Sequence, residues 1–176
     1  MKVACILALC LATRSSDLSL LSAKVKFLRN SCHIPLLGTR KSGSQSNFVV
    51  TRFKDPRLCP VTLIKFYLHY TKHYRQGSQN LFLGASKPFK PVSSTTIARW
   101  IKSTLSDAGV NTAVFSAHST RAAATSFAFK KGIHLSHILL AADWSSARIF
   151  KHFYNKPIAQ SNKEFSNTVL GATNNL

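Results

Sequence analysis

The sequence predicts an α+β fold that is mostly helical and contains a small three-stranded antiparallel sheet. The runs that predict the sheet lie between positions 25 and 53, where turn-forming residues separate them. Elsewhere, apolar residues recur at helical spacing between capping and helix-ending residues. A chain of 176 residues with 45% hydrophobic content fits one domain with a sizeable buried core.

The first third of the chain predicts two helices followed by the sheet. Apolar residues 3–11 form the first helix, and Ser15 or Ser16 caps a short second helix that runs through Leu21. Three β-like runs follow, at residues 25–28, 33–37 and 48–53, and a turn-rich stretch joins the last two.

The rest of the chain predicts further helices. Pro60 suits a first helical position, and we interpret the helically spaced side chains after it as core packing: Leu63, Phe66, Tyr67, Tyr70 and Tyr74. Residues 81–83 form a short extended piece. Ser93 or Ser94 caps a helix whose apolar face runs from Ile97 to Ala108 and which Gly109 ends. Helices follow at 116–131, 135–142 and 149–154. We expect the domain to span 1–158 and the polar residues 159–176 to form a mobile tail.

The charge balance predicts a polyanionic partner. Lys and Arg number 24 against only 5 Asp and Glu, which gives a formal charge of +19 and a pI near 10.4. Nucleic acid is the first expectation, and an anionic membrane or glycosaminoglycan is the second. The basic residues are spread along the chain, which favours a folded basic surface over a basic tail. The candidate phosphate contacts are Lys24, Lys26, Arg40, Arg99 and Lys102.

The N-terminus allows two interpretations. Met1 and Lys2 followed by an apolar run to Ala12 are typical of a short signal peptide, which would make the chain a secreted cationic protein. The same run can be a core helix that leads into Arg14, and we favour this interpretation. The run is too short to span a bilayer. The four cysteines form no CxxC pair, so we expect reduced thiols rather than a zinc ribbon.

Four features far apart in sequence form one chemical set. His118 and Arg121 are three residues apart, so a helix places both on one face. Arginine binds phosphate oxygens bidentately, histidine moves protons near neutral pH, and an indole offers one N–H donor. A tyrosine hydroxyl can attack a phosphodiester and keep its energy in a covalent link. Arg14, Trp144 and Tyr154 supply the remaining groups.

These residues resemble the catalytic domain of the tyrosine recombinases, the phage-integrase family, from about residue 6 to residue 157. Arg14 and the following Ser-Ser-Asp-Leu match the family's first arginine turn, and residues 118–121 match its HxxR box. Trp144 matches the next His-or-Trp position, and Tyr154 matches the nucleophile. The sequence around His118 and Trp144 is most similar to that of recombinases of DIRS-type retrotransposons and related eukaryotic mobile elements.

The resemblance implies DNA cleavage and rejoining through a 3′-phosphotyrosyl link. Tyr154 would attack, Arg14, Arg121 and Trp144 would hold the phosphate, and His118 would assist proton transfer. Lys41 is the candidate that protonates the leaving oxygen, although the family's lysine falls nearer Gly38, and Arg40 would be a poor acid. No metal or nucleotide cofactor is implied. The implied partners are double-stranded DNA and further copies in a tetramer, with nuclear localisation in a eukaryote and cytoplasmic localisation otherwise.

Two departures from the family favour an alternative function. The catalytic lysine has no clear counterpart, and we expect the family's N-terminal DNA-binding domain to be missing from this chain. Ala12, which stands where a glycine is frequent, is a milder departure. The alternative is therefore a truncated remnant that binds DNA without recombining it. Taken singly, each site residue has a simpler interpretation: Arg14 can pair with Asp17, and Trp144 and Tyr154 can pack in the core. His69 and His73 have helical spacing for a metal, but no third ligand is evident.

Overall fold

Helices are the main regular structure, and one small sheet follows the second of them in the sequence. The computed structural model describes residues 1–39 and 47–155. The described helices are α1 (Lys2–Leu11), α2 (Ser15–Ser19), α3 (Pro60–Thr71) with a 3₁₀ turn (Lys72–Tyr74), α4 (Ser94–Asp107), α5 (Ser119–Lys130), α6 (Leu135–Ala142) and α7 (Ala147–Ile149), which continues into a π-helical turn (Phe150–Tyr154). The predicted fold class is confirmed.

The sheet is antiparallel, with strand order β1 (Lys26–Phe27), β2 (Ser31–Pro35) and β3 (Asn47–Thr51). Cys32 pairs with Val50, and Ile34 pairs with Phe48. All four of these side chains are buried, while the residues between them on β3 are exposed. This period-two alternation means that one face of the sheet covers the core.

The main core forms where α1, α3, α4 and the inner face of the sheet meet. Leu7 of α1, Ile64 of α3 and Ile97 of α4 are each 0% exposed and belong to one hydrophobic cluster. Leu81 and Phe82 of the predicted extended piece are buried in the same cluster. Helix α1 is therefore a packed core element, and its C-terminal end leads to the candidate active site.

A second, smaller cluster lies beside the end of α1 and packs the C-terminal helices. It contains Ala12, Ile138, Ala142, Trp144 and Phe150. Helices α5 and α6 and the π-helical turn contribute partly buried side chains to it. Two of the predicted site residues, Trp144 and Tyr154, therefore belong to or pack against this cluster.

Several element boundaries differ from the sequence prediction by a few residues, and two of these differences have identifiable reasons. Strand β2 ends at Pro35 rather than at residue 37, because the Leu37 N–H donates to Leu20 O and the Ser22 N–H donates to Pro35 O. The predicted helix 116–131 begins at Ser119, since residues 116–118 form a turn in which the Ser119 N–H donates to Ser116 O. His118 and Arg121 still lie together at the start of the helix, with His118 at the N-cap position.

All four cysteines are free thiols. Within residues 1–39 and 47–155, no helix combines the length and the apolar character needed to cross a membrane.

Candidate active site

The turn between α1 and α2 presents the first arginine. Ala12 ends α1 in the left-handed conformation, with φ 44°. This conformation favours glycine, which explains why a glycine would suit the position. Arg14 then has extended backbone geometry, with φ −82° and ψ 154°, and its carbonyl accepts the N–H groups of Asp17 and Leu18. Arg14 therefore occupies the N-cap position of α2, in the turn that follows α1.

Two carboxylates lie at ion-pair distance from the Arg14 guanidinium, without a hydrogen bond to its Nη1 atom. Its Nη1 atom lies 3.9 Å from Asp17 Oδ2 and 4.0 Å from Asp143 Oδ2. Thr13 Oγ1 donates to Asp17 Oδ2 at 2.9 Å and fixes that carboxylate. The Arg14 side chain is 33% exposed, whereas those of Asp17 and Asp143 are 3% and 8% exposed. Arg14 is therefore oriented from the protein side while its solvent side stays accessible to an anion.

The start of α5 places the histidine and the second arginine. His118 occupies the N-cap position, and the Arg121 N–H donates to the His118 carbonyl. Ser119 Oγ accepts the Ser116 N–H, and Thr120 Oγ1 donates to Ala117 O, so side chains of the box close the turn. His118 consequently remains at the surface while Arg121 points into the protein.

Arg121 is enclosed by the aromatic side chains of the site. It is 1% exposed, and its Nη2 atom donates to Ala142 O at the end of α6. The guanidinium carbon lies 4.6 Å from the centre of the Trp144 ring and 5.7 Å from that of Tyr154. These distances are within the range of cation–π attraction, which stabilises a buried guanidinium. A phosphate cannot reach Arg121 in this conformation.

The π-helical turn carries Tyr154. Its backbone carbonyl accepts a hydrogen bond from Ser126 Oγ of α5, and its ring centre lies 4.3 Å from that of Trp144. The Tyr154 hydroxyl lies 2.7 Å from His118 Nε2. π-Helical turns occur frequently at functional sites. The hydroxyl and the imidazole are at the distance that direct proton transfer requires.

The surroundings of His118 keep its imidazole neutral. Partial burial is the largest cause that lowers the pKa of His118 below its usual 6.5, followed by the positive charges of Arg121 and Arg14. A neutral imidazole has one unprotonated ring nitrogen that can accept a proton. His118 is therefore suited to take the Tyr154 proton at neutral pH.

The structure brings five of the predicted site residues together: Arg14, His118, Arg121, Trp144 and Tyr154. Lys41 and Arg40 lie outside the described residues. The side chains of Lys24, Lys26, Arg99 and Lys102 are exposed, the first two beside and on β1 and the last two on α4. Across the described ranges, no group of three or more His, Cys, Asp or Glu residues is placed to hold a metal ion.

Sequence reasoning missed two residues of the site. Asp143 contacts Arg14 across more than a hundred residues, and Ser126 fixes the backbone of Tyr154. Asp143 carried a usable signal, because it is one of only 5 acidic residues and directly precedes Trp144. Ser126 carried none, since a serine in a helix usually faces solvent or its own backbone.

Fold comparison defines the class: the chain has the fold of the catalytic domain of tyrosine recombinases. The structure is similar to the crystal structure of XerA recombinase, with a TM-score of 0.68 and 16% identity over 93% of this chain and 54% of that one. It is also similar to XerH site-specific recombinase bound to a palindromic difH substrate in a post-cleavage complex, with a TM-score of 0.67 and 17% identity over 96% and 45% of the two chains. A dimer of lambda integrase, spanning 75–356 and bound to a COC′ core site, gives a TM-score of 0.56 and 16% identity over 90% and 53%.

The chain spans about half the length of these three solved proteins. No protein-family model matches the sequence. No curated protein matches it either.

Proposed function

We propose that this chain is the catalytic part of a tyrosine recombinase that cleaves and rejoins DNA. The observation that carries the proposal is the 2.7 Å contact between His118 Nε2 and the Tyr154 hydroxyl, with two arginines beside it. A nucleophile in contact with a base, next to fixed cations, is the arrangement that phosphoryl transfer needs.

The proposed reaction conserves the phosphodiester. Tyr154 Oη bonds to the scissile phosphorus while its proton passes to His118 Nε2, and the bond from phosphorus to the 5′ oxygen breaks. The products are a 3′-phosphotyrosyl link and a 5′-hydroxyl, whose proton comes from a general acid. Lys41 is the proposed acid. Attack by a 5′-hydroxyl on the link reverses each transfer and rejoins the strand. The charges of Arg14 and Arg121 stabilise the negative phosphate oxygens in the transition state.

Binding of the phosphate by both arginines requires a rearrangement of the site. Arg14 is partly exposed, whereas Arg121 is 1% exposed beneath Trp144 and Tyr154. The burial of Arg121 defines a closed state of the site, in which the centre of the Tyr154 ring lies 5.7 Å from the guanidinium carbon. We propose that residues 147–155 shift when DNA binds, which uncovers Arg121 and turns the hydroxyl toward the phosphorus.

Double-stranded DNA is the proposed partner. The charge of +19 favours a polyanion, and the similar XerH and lambda integrase structures are bound to a difH substrate and a core site. Assembly into a tetramer on DNA, nuclear localisation in a eukaryotic host and an origin in a DIRS-type mobile element are the finer parts of this proposal. They rest on the resemblance of the motifs around His118 and Trp144.

The second candidate function is DNA binding without cleavage. The observation that favours it is the closed position of Arg121, whose Nη2 already donates to Ala142 O. If the turn carrying Tyr154 stays in place, the phosphate contacts Arg14 alone and lacks half of its charge stabilisation. The chain would then bind DNA electrostatically and leave it intact.

A covalent trapping experiment separates the two functions. The protein is incubated with a pool of nicked duplexes of randomised sequence, so that the choice of target does not limit the result. We expect a denaturation-resistant protein–DNA adduct that Tyr154→Phe abolishes. The matched control is Tyr70→Phe, which removes a hydroxyl from a ring that is 65% exposed on α3. Salt-sensitive DNA binding without any adduct would establish the non-cleaving alternative.

A further inference from the structure

A row of aromatic rings runs along the solvent side of α3, away from the candidate active site. Phe66 and Tyr70 are 67% and 65% exposed, and Tyr74 continues their spacing with 42% exposure. The ring centres of Phe66 and Tyr70 are 6.2 Å apart with planes only 14° from parallel, and those of Tyr70 and Tyr74 are 6.4 Å apart. Phe89 extends the row from the following loop, 4.7 Å from Tyr74. We name these four side chains the aromatic row.

The structure corrects the sequence interpretation of these side chains as core packing. On α3 only part of the predicted stripe faces inward: Tyr67 is partly buried and lies 5.7 Å from Phe82, while Phe66 and Tyr70 face solvent. Large exposed apolar side chains in one contiguous patch mark interaction sites rather than ordinary surface. The aromatic row is therefore a candidate interaction surface.

A cavity of about 510 Å³ opens beside the row. Its described lining includes six aromatic side chains: Tyr67, Tyr70, Tyr74, Phe82, Phe89 and Trp100. Binding sites for small planar groups have volumes of roughly 300 to 1,000 Å³ and are lined mostly by apolar and aromatic side chains. The row and the cavity therefore form one continuous surface on which flat apolar rings can stack or insert.

The charge around this surface selects the chemistry of the occupant. Residues 56–106 contain no Asp or Glu and eight Lys or Arg residues, at positions 57, 65, 72, 75, 87, 90, 99 and 102. Lys72, Lys87 and Lys90 are exposed, and each lies within two residues of Tyr74 or Phe89. The occupant must therefore combine flat rings with regularly placed negative charges.

Each nucleotide of an unpaired nucleic acid has this combination, because it carries one base and one phosphate. In a duplex the base faces are hidden in the stack, whereas in a single strand they can stack on protein side chains. We propose that the aromatic row and its adjoining cavity bind single-stranded nucleic acid without base specificity, with bases on Phe66, Tyr70, Tyr74 and Phe89. Lys72, Lys87 and Lys90 contact the phosphates.

The surface is far enough from the candidate active site to act at the same time. The cavity lies at the first residues of α1, where Met1 and Val3 line it, whereas Arg14 lies three residues beyond Leu11, the last residue of that helix. Ten helical residues separate the two ends by about 15 Å. The cavity and the turn that carries Arg14 therefore lie at opposite ends of α1.

The test measures binding of a labelled oligothymidylate of roughly 12 nucleotides to the full chain by fluorescence anisotropy. We expect Tyr70→Ala and Phe66→Ala each to weaken binding by between about fivefold and about 150-fold, which corresponds to the loss of one stacked base. Tyr70→Phe should retain the affinity because it keeps the ring. Tyr70→Leu should lose it, although leucine keeps an apolar side chain. Phe127→Ala on α5 is the matched control, because that ring is 57% exposed but lies outside the row.

Three outcomes would overturn the proposal. An abasic strand of the same length that binds as tightly as the oligothymidylate would show that only charge is recognised. Equal losses for Tyr70→Ala and Phe127→Ala would show that the row has no special role. Unchanged oligonucleotide binding together with altered sedimentation of Tyr70→Ala would assign the row to contact between protein chains. None of these measurements depends on adduct formation by Tyr154. The recombinase proposal and this one can therefore fail independently.

Discussion

The Nε2 atom of His118 lies 2.7 Å from the hydroxyl oxygen of Tyr154, although the two residues are 36 positions apart in the chain. The two rings are not stacked, since their planes are inclined by 58° with centres 5.5 Å apart. Partial burial, Arg121 and Arg14 together lower the pKa of His118. The hydroxyl therefore faces a neutral base at physiological pH, and its proton has a short path to that base.

The first prediction concerns the pH dependence of adduct formation. His118 accepts the proton only when it is neutral, and its pKa in the folded protein lies below 6.5. We expect the single-turnover rate with nicked duplex to stay level from about pH 8 down to about pH 6.5 and to fall at lower pH. His118→Gln should slow the reaction by about 10²-fold or more and remove this acid limb. An acid limb with its midpoint above 6.5 would contradict the assignment of His118 as the base.

The second prediction concerns Asp143, whose carboxylate lies 4.0 Å from Arg14 Nη1. Asp143→Asn removes the negative charge that orients Arg14, and asparagine tolerates the left-handed backbone at this position, φ 56°. We expect adduct formation to slow by about tenfold, which corresponds to about 1.4 kcal/mol of lost transition-state stabilisation. Duplex binding should not weaken, because the net charge of the protein becomes more positive.

Asp107→Asn is the matched control for this change. Asp107 is exposed at the end of α4. Its substitution therefore removes one negative charge, as Asp143→Asn does, but leaves the residues of the candidate site unchanged. Equal rates for the two variants, measured with the same duplex pool and salt concentration, would show that Asp143 does not position Arg14.

Sequence patterns predicted the parts of this site that depend on local geometry. His118 and Arg121 are three residues apart at the start of a helix, so backbone geometry alone brings them close together. Helix α1, which leads to Arg14, followed in the same way from its apolar run. The predicted cap of α2 was wrong, because Arg14 rather than Ser15 or Ser16 occupies the N-cap position and no side chain caps the helix. The fold class could therefore be predicted, and five residues named from the sequence lie together in the candidate site.

The features that the sequence did not predict all depend on tertiary packing. The burial of Arg121 beneath Trp144 requires α6 to end against α5, and the pairing of Asp143 with Arg14 requires that end to meet the turn after α1. The exposure of Phe66 and Tyr70 has the same origin. Helical periodicity defines an apolar stripe, but neighbouring elements decide which side of that stripe is covered.

The last prediction concerns Ser126, whose hydroxyl on α5 donates to the backbone carbonyl of Tyr154. Ser126 is 4% exposed, and this contact ties the π-helical turn to the helix that begins at His118. Ser126→Ala should slow adduct formation by roughly three- to tenfold, because a hydrogen bond contributes about 0.5–1.5 kcal/mol and its loss lets the tyrosine move relative to His118. Thr104→Ala is the matched control, since it removes a hydroxyl that donates to Trp100 O at 2.9 Å in α4. Both variants should lose a similar amount of thermal stability, measured as Tm, while only Ser126→Ala slows the chemistry. If the two variants slow adduct formation equally, the effect reflects general loosening of the fold, and the turn is not held in place by Ser126.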